Sequence, residues 1–255
     1  MNGFGPALGW GLAVGASLLL GALVAAAVHL PERVAAVATS FGGGVLLAAV
    51  AFELAPEADE GAGTALTAAG LVAGTLVYVA ADAWLSRDPG MRTMRRASHA
   101  SAAGRPMETP REHAEAARGE AIAAGLFVDG VPESLALGLT IAEGEVGLAL
   151  LVGILVGNVV EAYGAAQPIV AEGHSRRFAV GLLGGLGLSL AATTLLGGTV
   201  LSDASPELVG VAQAVAAGAV LAVVTVSIVP HAFAEVNRLV ATATVLGFAA
   251  GYALS

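Results

Sequence analysis

Apolar runs of about 20 residues, recurring along the chain and separated by short polar breaks, constrain this sequence more than any other feature. A helix of that length rises about 30 Å, the thickness of a bilayer's hydrocarbon core. Runs of this kind fall at 6–29, 34–55, 64–85, 120–141, 147–170, 178–201, 208–230 and 238–254. In lipid each backbone N–H and C=O must find its partner within the segment, so the runs predict helices rather than strands. The expectation is an all-α integral membrane protein with eight transmembrane helices forming one domain over residues 1–255. The uncharged start, Met1 to Pro31, lacks a positive n-region and exceeds an h-region of about 7–15 residues, so it reads as the first span.

Only 12% of the residues are charged, against about 25% in soluble domains, which excludes an ordinary water-soluble fold. Glycines inside the runs recur at i, i+4: Gly11/Gly15, Gly70/Gly74, Gly153/Gly157, Gly181/Gly185 and Gly247/Gly251. That spacing lets helix backbones approach closely in lipid. With no cysteine in the chain, thiolate metal ligands and disulfides are excluded. A net charge of −9, with no basic and aromatic clustering, speaks against a nucleic-acid partner. The expected partners are the lipid bilayer and small ions, and a homodimer is compatible with the sequence.

All 11 basic residues are Arg. With eight spans they fall in alternate loops: Arg33, then Arg87 to Arg118, then Arg176 and Arg177, then Arg238. The intervening loops hold Glu57, Asp59, Glu60, Glu143, Glu145, Asp203 and Glu207 and no basic residue. The positive-inside rule then makes the Arg side cytoplasmic and places both termini outside a plasma or inner membrane. Residues 86–118 form the one long connection, expected to be a flexible cytoplasmic loop with some helix near 111–118. His99 and His113 in this loop are expected to be solvated.

Carboxylates inside apolar spans are costly, by about 2.5–3.5 kcal/mol each, so they mark function. Asp129 and Glu133 lie at i, i+4 on one face of the fourth run, and Asn158 and Glu161 at i, i+3 on one face of the fifth. Counted from the cytoplasmic ends, both pairs reach one level near mid-membrane. Pro132 has no N–H for the Val128 carbonyl and predicts a kink with loosened carbonyls beside the acids. Asp129, Glu133, Asn158 and Glu161 are therefore the candidate cation site. Glu53 and Glu57 at the outer end of the second run, Asp82 near the inner end of the third, and His231 and Glu235 after Pro230 are candidates for an entrance or exit relay. An intramembrane aspartyl protease using Asp82 and Asp129 would need a Gly-x-Gly-Asp segment, whereas Asp129 follows Leu126-Phe127-Val128; no enzyme is expected.

The second run ends Glu53-Leu-Ala-Pro56-Glu57 and the seventh Ser227-Ile-Val-Pro230-His231. Matching ends on spans of opposite direction suggest an inverted repeat of spans 1–3 and 6–8 around spans 4–5.

The segments Asp129-Gly130-Val131-Pro132-Glu133-Ser134, Asn158-Val159-Val160-Glu161-Ala162 and Phe41-Gly-Gly-Gly-Val-Leu-Leu-Ala resemble the ZIP family of divalent-metal transporters. The fourth span of that family carries His-Asn-x-Pro-Glu-Gly and its fifth His-Glu-x-x-Glu-Gly. The resemblance covers essentially the whole chain. It implies uptake of zinc, manganese or iron, with no cofactor beyond the transported metal. By position it implies Asp129, Glu133 and Glu161 for a first metal and Gly130 and Asn158 for a second, where Gly130 has no ligand to offer. Asp129 stands where the family has His. An all-oxygen set suits Mn²⁺, Mg²⁺ or Ca²⁺ better than Cu²⁺ or Zn²⁺, and the expected cargo is Mn²⁺ or ferrous iron. The alternative is a ZIP-derived protein that binds metal or regulates without transport.

Overall fold

The computed structural model describes residues 3–87, 89–102, 119–171, 173–201, 204–228 and 238–255. Every regular element among them is helical. The chain runs α1 (Phe4–Ala27), α2 (Glu32–Ala49), a π turn (Val50–Leu54), α3 (Ala55–Ala62), α4 (Thr64–Leu85), α5 (Pro89–Ala102), α6 (Gly119–Glu143), α7 (Leu148–Ala171), α8 (Arg176–Val200), α9 (Pro206–Val223), a second π turn (Val224–Ile228) and α10 (Arg238–Leu254). Seven segments are long and apolar enough to cross a membrane: α1, the continuous rod Arg33–Ala62, α4, α6, α7, α8 and Pro206–Ile228. They coincide with the first seven apolar runs. The eighth run is the 17-residue α10, about 26 Å long at a helical rise, a shorter apolar helix than the others.

The π turns have an identifiable cause. A proline ring clashes with the carbonyl four residues back and gives it no hydrogen bond, and one wider turn relieves both faults. Pro56 follows the first π turn by two residues, and Pro230 follows the second at the same offset in the sequence. α6 nonetheless continues as helix through Pro132.

The bundle has α6 and α7 near its centre, with the largest share of buried positions in α7 and the α9 rod. Around them α1 packs on α8 and α7, α2 on α10, α4 on α9, and α6 on α8. Small residues permit this. A Cβ on Gly15 would lie 2.7 Å from the Gly187 carbonyl oxygen, and one on Gly187 would lie 2.9 Å from the Gly15 Cα, so α1 and α8 meet backbone to backbone. Gly11 and Gly70/Gly74 make equally close contacts with α8 and α9, and Gly247/Gly251 with α2. Gly153 meets Leu46, while Gly157 has open space beside it. Gly181/Gly185 depart from the expectation: a side chain at either position would meet nothing, because that face of α8 points away from the bundle. Leu188, Leu196 and Val200 on the same helix are exposed, as a lipid-facing surface requires.

The long connection also departs from expectation. Its first half is the 14-residue α5 rather than a flexible segment, with Arg95, Ala97, Ser98, Ser101 and Ala102 buried against the bundle. Thr39 Oγ1 donates to the Ala102 carbonyl at 2.7 Å. Gly164 on α7 makes room for the same turn, since a Cβ there would lie 2.6 Å from the Ala102 Cα. Residues 103–118, with His113 and the helix expected near 111–118, lie outside the described residues.

Gly15→Val should destabilise the protein by about 1–3 kcal/mol, because backbone cannot yield as a side chain can. Gly181→Val should leave thermal unfolding in detergent unchanged; equal losses for both would mean that α1 and α8 do not meet as described.

Candidate functional site

Burial of charge sets the geometry, and the buried acids differ in how it is met. Glu53, 7% exposed, sits in the first π turn. α7 opens at Leu148 after Gly147, which has no side chain to cap the free N–H groups of the first turn. Glu53 supplies the cap from another helix: its Oε1 accepts from Ala149 N at 2.9 Å and its Oε2 from Leu150 N at 3.0 Å. A Cβ on residue 147 would lie 2.8 Å from that carboxylate, so the glycine admits the cap. Glu53 thus caps α7 from the second membrane rod. Glu57 has another fate. Gln213 on α9, fully buried, donates from Nε2 to Glu57 Oε2 at 2.8 Å and to Glu143 Oε2 at 2.6 Å, tying α3 and the end of α6 to α9.

Asp129 on α6 is 1% exposed and fully engaged. Its Oδ1 accepts from Arg95 Nη2 at 2.6 Å and from the Tyr78 hydroxyl at 2.5 Å. His99 Nε2 lies 3.2 Å from its Oδ2; against an ionised carboxylate the ring must be the donor. Because Tyr78 gives its single proton to Asp129, its oxygen accepts, from Arg95 Nη2 at 2.9 Å and from Ser227 Oγ at 2.9 Å. The other arm of the guanidinium, Nη1, reaches Asp82 Oδ1 at 3.0 Å. One Arg therefore stands between Asp82 and Asp129, the pair that a protease reading would join. Burial disfavours the Arg95 charge, but Asp129 first, then Tyr78 and Asp82, more than offset it and hold the guanidinium above its ordinary pKa.

Glu133, one turn further along α6, is 4% exposed, and Glu161 on α7 lies within Coulombic reach of both Glu133 and Asp129. Neither glutamate has a hydrogen-bond or ion-pair partner among the described residues. Asn158 is 2% exposed, and its amide nitrogen approaches the Val14 carbonyl on α1 at 3.5 Å. The structure thus brings Asp129, Glu133 and Glu161 into one neighbourhood and turns the Asn158 amide toward α1. Among the described residues no three acids or imidazoles converge closely enough to hold a metal as they stand. His231 and Glu235 lie outside the described residues.

Three members of this network are absent from the expectation: Arg95, His99 and Tyr78. His99 was expected to be solvated and is instead bonded to a buried acid. The available signal was the spacing Arg92, Arg95, Arg96, His99, a basic face at i, i+3, i+4, i+7 behind Pro89, a favoured first residue of a helix. Tyr78 was detectable as a mid-span phenol, whose hydroxyl needs a partner in an apolar setting. No protein-family model matches the chain, and no curated protein sequence matches it either.

Asp129→Asn should cost about 3 kcal/mol, the lower end for breaking a buried ion pair, because Asp82 still holds Arg95. Glu53→Ala should cost about 0.5–2 kcal/mol, the loss of one helix cap. Thermal unfolding in detergent measures both; an Asp129→Asn protein as stable as wild type would mean that the Arg95 contact carries no weight.

Proposed function

We propose that this chain is a multi-pass cell-membrane transporter of the ZIP type, moving a divalent cation toward the cytoplasm through a carboxylate site between α6 and α7. The observation that carries the reading is Glu133 with Glu161. The two acids lie on neighbouring helices of an apolar bundle, Glu133 buried and Glu161 half-buried; they repel each other, and among the described residues neither serves a cap or an ion pair. Such a pair persists where a cation or protons neutralise it. Asp129 adjoins them and completes a three-carboxylate set.

The architecture supports the same reading. In it α10 is an eighth span, at the short end of the roughly 17–25 residues that suffice. Exchanging α1 with α8, α2 with α9, α4 with α10, and α6 with α7 maps the observed packing onto itself: α2 on α10 becomes α9 on α4, and α1 on α7 becomes α8 on α6. The π turns at Val50–Leu54 and Val224–Ile228 exchange as well. These correspondences favour an inverted repeat with the site between its halves. With eight spans the Arg-bearing connections share one face, and both termini lie outside.

A second reading, a metal-binding or regulatory relative that does not transport, draws on the engagement of Asp129 by Arg95, Tyr78 and His99. Uptake into proteoliposomes separates the two.

Wild type should take up Mn²⁺, and Glu133→Ala and Glu161→Ala should each abolish uptake while remaining folded. Normal uptake in either variant removes this site. Asp129→His adds a nitrogen ligand and should move competition between Mn²⁺ and Zn²⁺ toward zinc; a wild type that already prefers zinc strongly, with no change in the variant, would show that Asp129 is not a ligand.

A further inference from the structure

The basic face of α5 is misplaced for a protein that passes cations. Arg92, Arg95, Arg96 and His99 line a cavity of about 340 Å³ with Asp82, Ser86, Val226 and Ser227. Asp82 and Ser86 belong to the end of α4 that leads into the Arg-bearing connection, so on the proposed topology this cavity lies between the carboxylates and the cytoplasm. Positive groups along an exit repel a departing cation. Arg95 goes further. It carries a permanent, weakly hydrated positive charge past the cavity and sets it on Asp129 at 2.6 Å, with Asp82 at 3.0 Å on its other arm.

We propose that Arg95 is a tethered competitor of the cargo: its guanidinium takes the place of a divalent cation's charge at Asp129, so cation binding at Asp129, Glu133 and Glu161 and docking of α5 exclude each other. The inference rests on the transport reading and assigns Arg95 as the residue that sets apparent affinity. Asp129 cannot serve both partners. Its Oδ1 is held by Arg95 and Tyr78 and its Oδ2 by His99, and a divalent ion beside a fixed guanidinium meets direct repulsion. The same competition explains why, among the described residues, no three ligands converge while α5 is docked: the third carboxylate is turned toward Arg95. Gly125 on α6 is shaped to this state, since a Cβ there would lie 3.3 Å from the Arg95 Cδ.

Two measurements on the full chain in lipid nanodiscs test it. The first is equilibrium binding of Mn²⁺ to wild type and Arg95→Gln, where removing the competitor should tighten binding about tenfold or more. The second uses the absence of cysteine. Ser98 lies on α5 at 3% exposure, so the single thiol of Ser98→Cys should resist a water-soluble maleimide without Mn²⁺, react at saturating Mn²⁺, and stay protected at that concentration when Glu161→Gln is added. This second arm keeps Arg95 in place and so does not depend on the folding of Arg95→Gln. Unchanged or weaker Mn²⁺ binding by a folded Arg95→Gln overturns the proposal. So does a Ser98→Cys thiol that stays protected while Mn²⁺ is bound, an outcome that leaves the transport reading standing. Absence of Mn²⁺ binding in wild type and Arg95→Gln alike defeats both.

Discussion

A charge placed among apolar helices must be met by an opposite charge, a set of donors or a proton, and the arrangement of this bundle follows from how each acid meets that demand. Glu53 takes two backbone N–H groups from α7, which ties the second membrane rod to the start of a central helix. Glu57 and Glu143 share the Gln213 amide, which closes the opposite side of that end. Asp129 takes Arg95, Tyr78 and His99, drawing α4 and α5 onto α6. Glu133 and Glu161 have no such answer among the described residues, and the proposed chemistry is concentrated there.

The packing around these acids depends on close backbone approach more than on large side chains. Where α1 meets α8 and α4 meets α9, glycines let main chains touch, and dispersion between close backbones supplies the attraction that the hydrophobic effect cannot supply in lipid. These tight pairs flank α6 and α7. α5 contacts α2, α6 and α7 beside them.

Much of the site was legible as residue types at depths. Asp129, Glu133 and Glu161 stand out because acids are expensive in apolar runs, and the helical period puts each pair on one face. Their partners did not stand out. Arg95 and His99 lie in a polar stretch that composition assigns to solvent, yet residues 89–102 fold as a helix whose buried face lies against α7. Glu53 and Glu57 share a strongly acidic segment, and nothing in that segment separates a cap from a partner of Gln213, because the donors come from residues 96 and 156 positions away in the chain.

The sequence alone determined the helical class, the positions of seven membrane-length segments and where acids fall within them, because hydrocarbon thickness and the cost of buried charge act on local runs and single residues. Tertiary structure alone decided which acid is capped, which is bridged and which has no partner among the described residues. Hydrogen bonds and ion pairs reach only about 3 Å, so these outcomes depend on which distant helices touch. The contrast between Gly15, pressed against α8, and Gly181, facing open space, has the same origin: identical spacing in the chain acquires meaning only from what lies opposite.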